Sequence, residues 1–294
     1  MTLRPLRVLL ISDTRDWHSR RLEEAYQKRG VEATRLDGAD CEFSTLRPRG
    51  LDLPGCDALP NVVHVRSMSG GSFEAITRRL GVLHALQRLN VRVLNDARAI
   101  EACVDKSMTS FLIARAGIAT PDTWVLESFE RARALVDREC PKGPLVLKPL
   151  FGAQGKGLRL VRSPPDLPSP DAIGGVYYLQ RFERVRGEGF HDFRLFVCGG
   201  RVVASMMRRA PTWITNVKQG GEPFAVARDA QLEALALAAA RAVGADIAGV
   251  DLIVGAEGPK VLEVNSMPAW RGLQQVTDAN IADLLAEATL RGLD

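Results

Sequence analysis

The segment Gly249-Val250-Asp251-Leu252-Ile253 is followed, after one turn, by Val261-Leu262-Glu263-Val264-Asn265. Both runs are short, apolar and rich in β-branched residues, and the turn holds glycines and a proline, so we predict two neighbouring strands. Glu263 and Asn265 are two residues apart, which places their side chains on one face of the sheet, where Asp251 can meet them. An oxygen-only set of this kind suits magnesium. The alternative is an exposed strand with ordinary polar alternation, and residues upstream weigh against it.

Composition narrows the class of protein. The 294 residues are enough for a substantial core and two or three subdomains, and 46% hydrophobic with 25% charged residues is typical of a soluble globular chain. The net charge is only +4 and no run of five like charges occurs, so no nucleic-acid partner is predicted. The five cysteines are far apart without a CxxC spacing, which indicates reduced thiols. Without a signal-peptide pattern or an apolar run of about 18 residues, we expect a cytoplasmic protein with no membrane partner.

Strands and helices alternate along the first hundred residues. We predict strands at 6–11, 31–36, 61–65 and 91–94 and helices at 19–29 and 72–89. This order is typical of a parallel, doubly wound α/β sheet. A second unit begins near Asn95, and a third begins with the apolar run that starts at Tyr177. The predicted domains are therefore residues 1–95, 96–176 and 177–294.

The segment Gly152-Ala153-Gln154-Gly155-Lys156-Gly157 lies between two predicted strands, just after Lys148. Glycines allow tight turns and aim several backbone N–H groups at phosphate oxygens. The spacing departs from a P-loop because Lys156 is followed by glycine, and from a dinucleotide fingerprint because a strand follows instead of a helix. A flexible flap that joins antiparallel strands and closes over a triphosphate fits best. A plain glycine hairpin is the alternative.

Four cationic residues are candidates for contact with a phosphate. Lys148 lies in an otherwise apolar strand, where a lone charge is costly, so it needs an anionic partner. Lys106 begins a helix, where the dipole disfavours a cation unless a phosphate is near. Arg194 and Arg208 lie on predicted strands and can neutralise charge on a transferring phosphoryl group. For both arginines, a solvated position on an edge strand is the alternative.

These segments, in this order, resemble the ATP-grasp superfamily, and most closely its RimK-like α-L-glutamate ligases. The resemblance covers roughly residue 91 to the C-terminus and implies two α+β subdomains that clamp ATP, preceded by a Rossmann-like parallel-sheet domain. The matching segments are Asn95-Asp96, Cys103 to Lys106, Ala116 to Pro121, Val146 to Pro149, Gly152 to Gly157, Gln180 to Phe182, Asp192 to Ala204, Asn216, Gly220-Gly221, Ala248 to Asp251 and Leu262 to Asn265.

The resemblance implies a role for each matching residue. The ligands of two magnesium ions, which manganese can replace, would be Asp251, Glu263 and Asn265. The groups that hold ATP would be Lys106, Lys148, Gly152, Gln154, Gly155 and Gly157, the backbone of Gln180, Arg181 and Phe182 at the adenine, and Glu183 or Glu188 at the ribose. Arg194 and Arg208 would stabilise the transferred phosphoryl group and the acyl phosphate, and Asn216 would line the same cleft.

The sequence departs from the family pattern after Asn265. Many relatives continue with a small residue, Pro and Gly, whereas this chain reads Ser266-Met267-Pro268-Ala269-Trp270-Arg271. Trp270 is a candidate for stacking on an aromatic substrate ring and Arg271 for pairing with a carboxylate. The alternative for Trp270 is packing near the C-terminal helix. The variation resembles the branch that glutamylates pterin- or furan-type one-carbon coenzymes more than the branch that modifies a ribosomal protein.

The reaction that the resemblance implies is amide formation. A carboxylate oxygen takes the γ-phosphoryl group of ATP, which leaves ADP and an acyl phosphate, and an amino group then attacks the acyl phosphate and displaces phosphate to form the amide. L-Glutamate is the expected amine donor, a small coenzyme the expected carboxylate acceptor, and a homo-oligomer the expected assembly. The alternatives are glutamylation of a ribosomal protein C-terminus, ligation of other peptides or dipeptides, and, in another class, a non-catalytic ATP-binding module. The presence of all three metal ligands argues against the last of these.

Overall fold

The computed structural model describes residues 6–152 and 154–293. The α-helices are α1 (Trp17–Gln27), α2 (Phe73–Arg88), α3 (Ala97–Val104), α4 (Lys106–Arg115), α5 (Phe129–Glu139), α6 (Ala230–Ala242), α7 (Arg271–Gln274) and α8 (Ile281–Leu290). The strands are β1 (Arg7–Ile11), β2 (Glu32–Leu36), β3 (Glu42–Phe43), β4 (Leu51–Asp52), β5 (Val62–Val65), β6 (Arg92–Leu94), β7 (Thr123–Leu126), β8 (Leu145–Lys148), β9 (Arg159–Val161), β10 (Tyr177–Arg181), β11 (Phe190–Cys198), β12 (Arg201–Ala210), β13 (Glu222–Ala225), β14 (Ile247–Gly255) and β15 (Gly258–Asn265). No helix within the described residues has both the length and the apolar character that crossing a bilayer requires.

The N-terminal sheet is parallel and has the strand order β2-β1-β5-β6. Its four strands and the helices α1 and α2 confirm the predicted alternation. Side chains of β1 point alternately to two cores: Leu10 packs with Tyr26 of α1, and Leu9 packs with Leu83 of α2. Because both faces are covered, β1 and β5 are almost entirely buried, as is usual for strands of a parallel sheet.

The second sheet is antiparallel and has the order β7-β10-β8-β9, with α5 packed against it. β10, which contains Tyr177, was predicted to open the third unit. It pairs instead with β7 on one side and β8 on the other. The predicted boundary at residue 177 therefore divides this sheet, and that prediction is wrong for β10. The pairing of β10 with β8 brings together strands that are separated by about thirty residues in the chain. A local sequence pattern does not encode such distant partners.

The third sheet is antiparallel and has the order β13-β12-β11-β14-β15. One of its faces packs against the alanine-rich helix α6 through residues such as Ala236, Ala239, Val250 and Leu252. The small side chains of α6 allow close approach of the helix to the central strands. The long strands β11, β12, β14 and β15 fix the positions of the polar residues on the other face.

The N-terminal sheet is joined to the third sheet by buried polar and apolar contacts. Asn95, at the end of β6, accepts a hydrogen bond from Ile247 N at 2.8 Å and donates to Ile247 O and Ser266 O. Helix α8 packs against α1, and Leu285 lies in the same core cluster as Tyr26. The carboxyl end of the N-terminal sheet is thereby held against the chain that follows β15.

A buried histidine lies where β5, α1 and α8 meet. The Nδ1 atom of His64 is 2.8 Å from the hydroxyl oxygen of Tyr26 and 3.0 Å from that of Thr289. Burial lowers the pKa of His64 to about 3, with a smaller contribution from Arg66. The imidazole is therefore neutral in the folded protein at neutral pH, whereas the unfolded chain takes up a proton below a pH of about 6.5.

We expect this histidine to make the fold sensitive to acid. Because the unfolded state binds the extra proton, the free energy of unfolding should fall as the pH drops below about 6.5, by about 2 kcal/mol at pH 5, and the loss should continue until pH 3. Urea unfolding of the wild type and of His64→Gln between pH 7.5 and 4.5 measures this loss in the free energy of unfolding. The variant should lose less stability in acid, whereas His84→Gln, which removes a partly exposed imidazole, should behave as wild type. An equal acid loss in all three proteins would contradict the assignment.

Candidate active site

A cleft is lined by residues of both the second and the third sheet. The second sheet contributes β8 and β10 with the hinge that follows, and the third contributes β11, β12, β14 and β15 with the loop after β12. The polar or charged lining residues are Lys148, Gln180, Arg181, Glu183, Asp192, Arg208, Thr215, Asn216, Asp251 and Glu263. A concave site with a few convergent charged groups among apolar walls is typical of ligand binding.

The predicted metal ligands lie on the neighbouring strands β14 and β15. These strands confirm the predicted hairpin, and the register places Asp251 opposite Glu263 and Gly249 opposite Asn265. Asp251 is buried, whereas Glu263 and Asn265 are half-buried. The Asn265 amide nitrogen donates to Gly249 O at 3.4 Å, so its carbonyl oxygen is the atom left to bind a cation.

The donor chemistry of these residues fits magnesium. Two carboxylates and one amide are oxygen donors only, and magnesium takes few protein ligands and completes its shell with phosphate and water. Among residues 6–152 and 154–293, no group of three or more His, Cys, Asp and Glu side chains is placed to hold a metal ion. A site formed here would therefore rely on Asn265 and on oxygens of the nucleotide.

Two arginines hold Asp251. Arg194 forms a bidentate pair with it, with distances of 2.7 Å from both Nε and Nη2 to the two carboxylate oxygens. Arg208 lies 3.1 Å from the same carboxylate. Burial raises the pKa of Asp251, but the two guanidinium groups outweigh it and hold that pKa below its usual value. In this structure the predicted metal ligand is thus neutralised by the two residues that were predicted to bind phosphate.

A second carboxylate extends this pair into a row of buried charges. Asp192 lies opposite Arg208 in the β11–β12 register and forms a bidentate pair with it, of which Nε–Oδ1 measures 2.8 Å. The side chains of Asp192, Arg208 and Asp251 are 7%, 3% and 4% exposed. Burial lowers the pKa of Arg208, but Asp251 and Asp192 raise it above its usual value. Alternating charges on three strands therefore hold each guanidinium in place.

The two predicted lysines lie near Glu263. Lys148 donates to the side-chain oxygen of Gln180 at 2.6 Å, and Lys106 donates to Gly152 O at 2.7 Å. Burial lowers the pKa of both lysines, and Glu263 opposes that shift. In the part of the chain that the structure describes, no carboxylate lies within hydrogen-bonding distance of either ammonium, so both can pair with an anionic ligand.

The glycine-rich segment follows β8 and precedes β9, and these strands are antiparallel as predicted for a flap. Gly155 has φ +72° and lies so close to the loop after β12 that a Cβ there would be 2.5 Å from the Asn216 side-chain oxygen and 2.9 Å from Ile214. Gln219 also donates to Gln154 O at 3.4 Å. The flap therefore lies over the cleft, against the predicted cleft residue Asn216. Ala153 lies outside the described residues.

The hinge after β10 has fewer free backbone groups than expected. Arg181 N donates to Asp122 O and Phe182 N donates to Pro144 O, so these two N–H groups are engaged within the protein. The Arg181 side chain is held by Glu139 and stacks on Trp124. Any adenine contact by this backbone must therefore use carbonyl oxygens or groups farther along the hinge.

The two candidates for the ribose occupy different environments. Glu183 lines the cleft, where its carboxylate lies 2.7 Å from the Lys260 ammonium. Glu188 is exposed in the loop before β11 and is absent from the cleft lining. The position of Glu183 is the more favourable for a ligand contact, and Lys260, which sequence reasoning missed, holds its carboxylate.

Trp270 does not line the cleft, and its expected stacking on substrate conflicts with its position. Its side chain is buried in the core cluster that contains Tyr26 and Phe196, and its ring centroid is 4.6 Å from that of His18. The structure agrees with the alternative prediction, in which Trp270 packs inside the protein, because an indole enclosed in a core cannot stack on a ligand. Arg271, the first residue of α7, is exposed.

Asp192 and Gln180 carry functions that sequence reasoning missed. Asp192 was predicted only as part of the matching segment from Asp192 to Ala204, although a carboxylate on a largely buried strand signals a cationic partner. Gln180 was expected to act through its backbone, but its side chain binds Lys148. The signal was available in Lys148 itself, because a charge in an apolar strand requires a polar side chain within hydrogen-bonding distance.

Comparisons with known proteins agree with the geometry. The model of the RimK-like ATP-grasp domain matches residues 103–289. The chain is 31% identical over 299 residues to the tetrahydromethanopterin:alpha-L-glutamate ligase of Methanococcus maripaludis, with coverage of 97% of this chain and 98% of that protein. It is 32% identical over 292 residues to a probable alpha-L-glutamate ligase of Alkalilimnicola ehrlichii, with coverage of 94% and 93%.

Among solved structures, the ATP-grasp ligase PsnB, complexed with a phosphomimetic variant of minimal precursor, Mg and ADP, has a TM-score of 0.72 to this chain. The two chains are 21% identical, and the superposition covers 100% of both. At this identity the likeness shows a shared fold. The order of the second and third sheets around the cleft is thus an ATP-grasp arrangement.

Proposed function

We propose that this chain, which belongs to the RimK-like ATP-grasp family, adds L-glutamate to the carboxylate of a pterin-type coenzyme. Its family makes it an ATP-dependent ligase that forms C–N bonds. The observation that carries the proposal is the match, over nearly the full length of both chains, to a tetrahydromethanopterin:alpha-L-glutamate ligase. The cleft supports it, because anion-binding groups and oxygen ligands converge there.

The cationic residues bind and orient the phosphates in this proposal. Lys106 and Lys148 lie near Glu263 and form no ion pair with a described carboxylate, so the phosphates of ATP supply their anionic partner. Arg194 and Arg208 turn from Asp251 towards the transferring phosphoryl group, whose charge they stabilise together with that of the acyl phosphate. The flap from Gly152 to Gly157 covers these groups and excludes water, which would otherwise hydrolyse the acyl phosphate.

Asp251, Glu263 and Asn265 would hold two magnesium ions, with manganese as a substitute. Magnesium bound there would neutralise the phosphate oxygens and fix their orientation. Glu263 and Asn265 are the ligands with open oxygens, whereas Asp251 shares its carboxylate with the arginines. Carbonyl groups of the hinge from Gln180 to Phe182 hold adenine, Glu183 or Glu188 contacts the ribose, and Asn216 contacts the bound substrates.

Mass spectrometry tests the proposed reaction. A small-molecule cell extract is incubated with the enzyme, ATP, magnesium and isotope-labelled L-glutamate, and Glu263→Gln protein serves as the control. Label in a pterin coenzyme that depends on active enzyme supports the proposal. Label in a peptide or in another small molecule indicates a different acceptor, and ATP binding without any transfer of label indicates a non-catalytic module.

The contact of the flap with the loop after β12 gives a further prediction. Gly155→Ala is expected to lower kcat/KM for ATP at least about tenfold, because the new methyl group adds a clash with Asn216 to the cost of about 1–2 kcal/mol for φ +72°. Steady-state kinetics with varied ATP measures the change. Gly174→Ala is the matched control, since φ is +67° there and nothing lies within 4 Å of the added Cβ. Equal kinetic effects of the two substitutions would exclude the flap contact as the cause.

A further inference from the structure

The N-terminal sheet has its topological switch point between β1 and β5. The chain leaves β1 towards β2 on one side and returns to β5 on the other, so the connections diverge at the carboxyl ends of these two strands. Open α/β sheets bind ligands in the crevice at such a point. Here Ser12 follows β1 and Ser67 follows β5, and their hydroxyl oxygens are 3.2 Å apart.

Arg66, the first residue after β5, is a buried cation with incomplete hydrogen bonding. Its side chain is 8% exposed. Its Nη1 is 3.4 Å from Met267 O, its Nη2 is 3.7 Å from an Asp16 oxygen, and its Nε has no partner among the described residues. Burial lowers the pKa of Arg66, whereas Asp16 and Asp13 raise it. A buried guanidinium with one distant carboxylate and an unpaired donor is costly unless a further anion binds.

Asp16 cannot satisfy Arg66 fully because it is already engaged. Its Oδ2 lies 2.8 Å from His18 Nδ1, and its Oδ1 accepts from Ser19 N as the cap of α1. His18 Nε2 accepts a hydrogen bond from Trp270 N at 3.2 Å, which requires a neutral ring with its proton on Nδ1. Burial and Arg66 lower the pKa of His18 to about 4, consistent with this neutral form.

The residues after β15 form the other side of this crevice. The segment 266–271 begins directly after Asn265, and Arg66 lies over the Trp270 ring with its Cζ 5.1 Å from the centroid. Arg271 follows Trp270 and is exposed, and its charge also acts on His18. One guanidinium therefore lies over Trp270 and a second belongs to the next residue, at the seam between the N-terminal sheet and the chain that leaves the proposed magnesium site.

We propose that this seam binds the amine donor, with Arg66 and Arg271 pairing with the two carboxylates of L-glutamate. The inference rests on the proposed function and names residues for one of its substrates. An amino acid with two carboxylates requires two cationic partners, and guanidinium is the group best matched to a carboxylate. Arg194 and Arg208 pair with Asp251 and Asp192 and are assigned to the phosphoryl group in the proposed function, so neither is assigned to the donor.

The seam also lies where the second step of the reaction requires the amine donor, which must reach the acyl phosphate after that intermediate has formed. The loop from 266 to 271 follows the strand that bears Glu263 and Asn265, and a Cβ at Gly249, opposite Asn265, would be 2.8 Å from Pro268 and 3.8 Å from the Arg194 Nε. This contact brings the loop to the residues assigned to the phosphoryl group, so the proposal places the donor next to the acyl phosphate. Trp270, buried and stacked under Arg66, then serves as a positioning residue that fixes the guanidinium. Its side chain acts through Arg66 and not by touching the substrate.

Steady-state kinetics of Arg66→Met and Arg271→Met tests the proposal, with L-glutamate, ATP and acceptor varied in turn. Each substitution should raise KM for glutamate at least about tenfold, the loss expected for one charge-assisted hydrogen bond, and leave KM for ATP within about twofold. Arg20→Met, which removes an exposed arginine from the same helix as His18, is the matched control. If Arg66→Met does not fold, Arg66→Lys replaces it, because lysine keeps the buried positive charge. Arg271→Met is expected to fold, because Arg271 is exposed.

Calorimetric titration of glutamate into each protein with bound ATP separates the possible results. Weaker glutamate binding in both variants, with unchanged ATP binding, supports the seam. Glutamate transfer by the wild type with unchanged KM for glutamate in Arg271→Met overturns it and leaves the proposed function intact. A change confined to KM for the acceptor overturns the assignment to the donor. A wild-type protein that neither binds nor transfers glutamate overturns both proposals.

Discussion

Glu263→Gln is expected to fold as the wild type does and to lose at least about a hundredfold in turnover. The substitution preserves the size of the side chain on β15 and removes one negative charge opposite Asp251. In the proposed site, the Glu263 carboxylate is a ligand of magnesium. The main catalytic effect there is the stabilisation of the negative charge that develops on the transferring phosphoryl group. The Glu263 carboxylate also opposes the effect of burial on the pKa of Lys106 and Lys148, so both lysines should hold their protons less tightly in the variant.

The measurement is ATP-dependent glutamate transfer at saturating substrates, with circular dichroism and thermal unfolding as tests of the fold. Glu257→Gln is the matched control, because it removes a carboxylate from the turn of the same hairpin, where Glu257 is exposed and paired with Lys260. The control should keep turnover within about twofold. Wild-type turnover by Glu263→Gln would remove the metal assignment, whatever the effect of the control.

The features that could be predicted from the sequence are those set by local periodicity. The hairpin of β14 and β15 follows from two β-branched runs and a glycine-proline turn, and the alternation of side chains then places Glu263 and Asn265 on one face. The parallel N-terminal sheet follows in the same way from alternating strands and helices. The flap between β8 and β9 was recognised because glycines were followed by a strand and not by a helix.

The features that escaped prediction depend on partners far away in the chain. β10 reads as a strand, but its partner strands β7 and β8 are determined by tertiary packing, and the predicted domain boundary fell on the wrong side of it. From its place after Asn265, Trp270 was predicted to contact substrate, yet it is buried against His18 and Phe196. A local pattern gives the face on which a side chain lies and not the element that covers that face.

The charges of the cleft show a third limit. Arg194 and Arg208 were predicted to bind phosphate, and both pair with Asp251 in the structure. A buried arginine needs an anionic partner, and neighbouring strands supply carboxylates for both side chains. Sequence motifs name the functional partner of such residues and not the carboxylates that neutralise them within the fold.

Arg208→Met is expected to destabilise the protein strongly and to abolish turnover. The substitution leaves the buried Asp192 without a cation, and breaking a buried pair by removing one partner typically costs about 3–5 kcal/mol. Urea unfolding at pH 7 measures the loss. Arg228→Met is the matched control, because Arg228 forms the same bidentate geometry with Glu233 on the surface, where its side chain is 80% exposed. Its unfolding midpoint should barely change.

The double variant Asp192→Asn/Arg208→Met separates stability from catalysis. Because it removes the stranded carboxylate charge, most of the lost stability should return, while turnover should remain absent since no guanidinium reaches the phosphoryl group. Recovery of both stability and turnover would show that Arg208 serves only to neutralise Asp192. Recovery of neither would show that the pair is needed for the packing of β11 against β12. We expect recovery of stability alone. In the row of buried charges, Asp192 holds Arg208 in the position from which its guanidinium stabilises charge on the phosphoryl group, so removing both residues restores stability and not turnover.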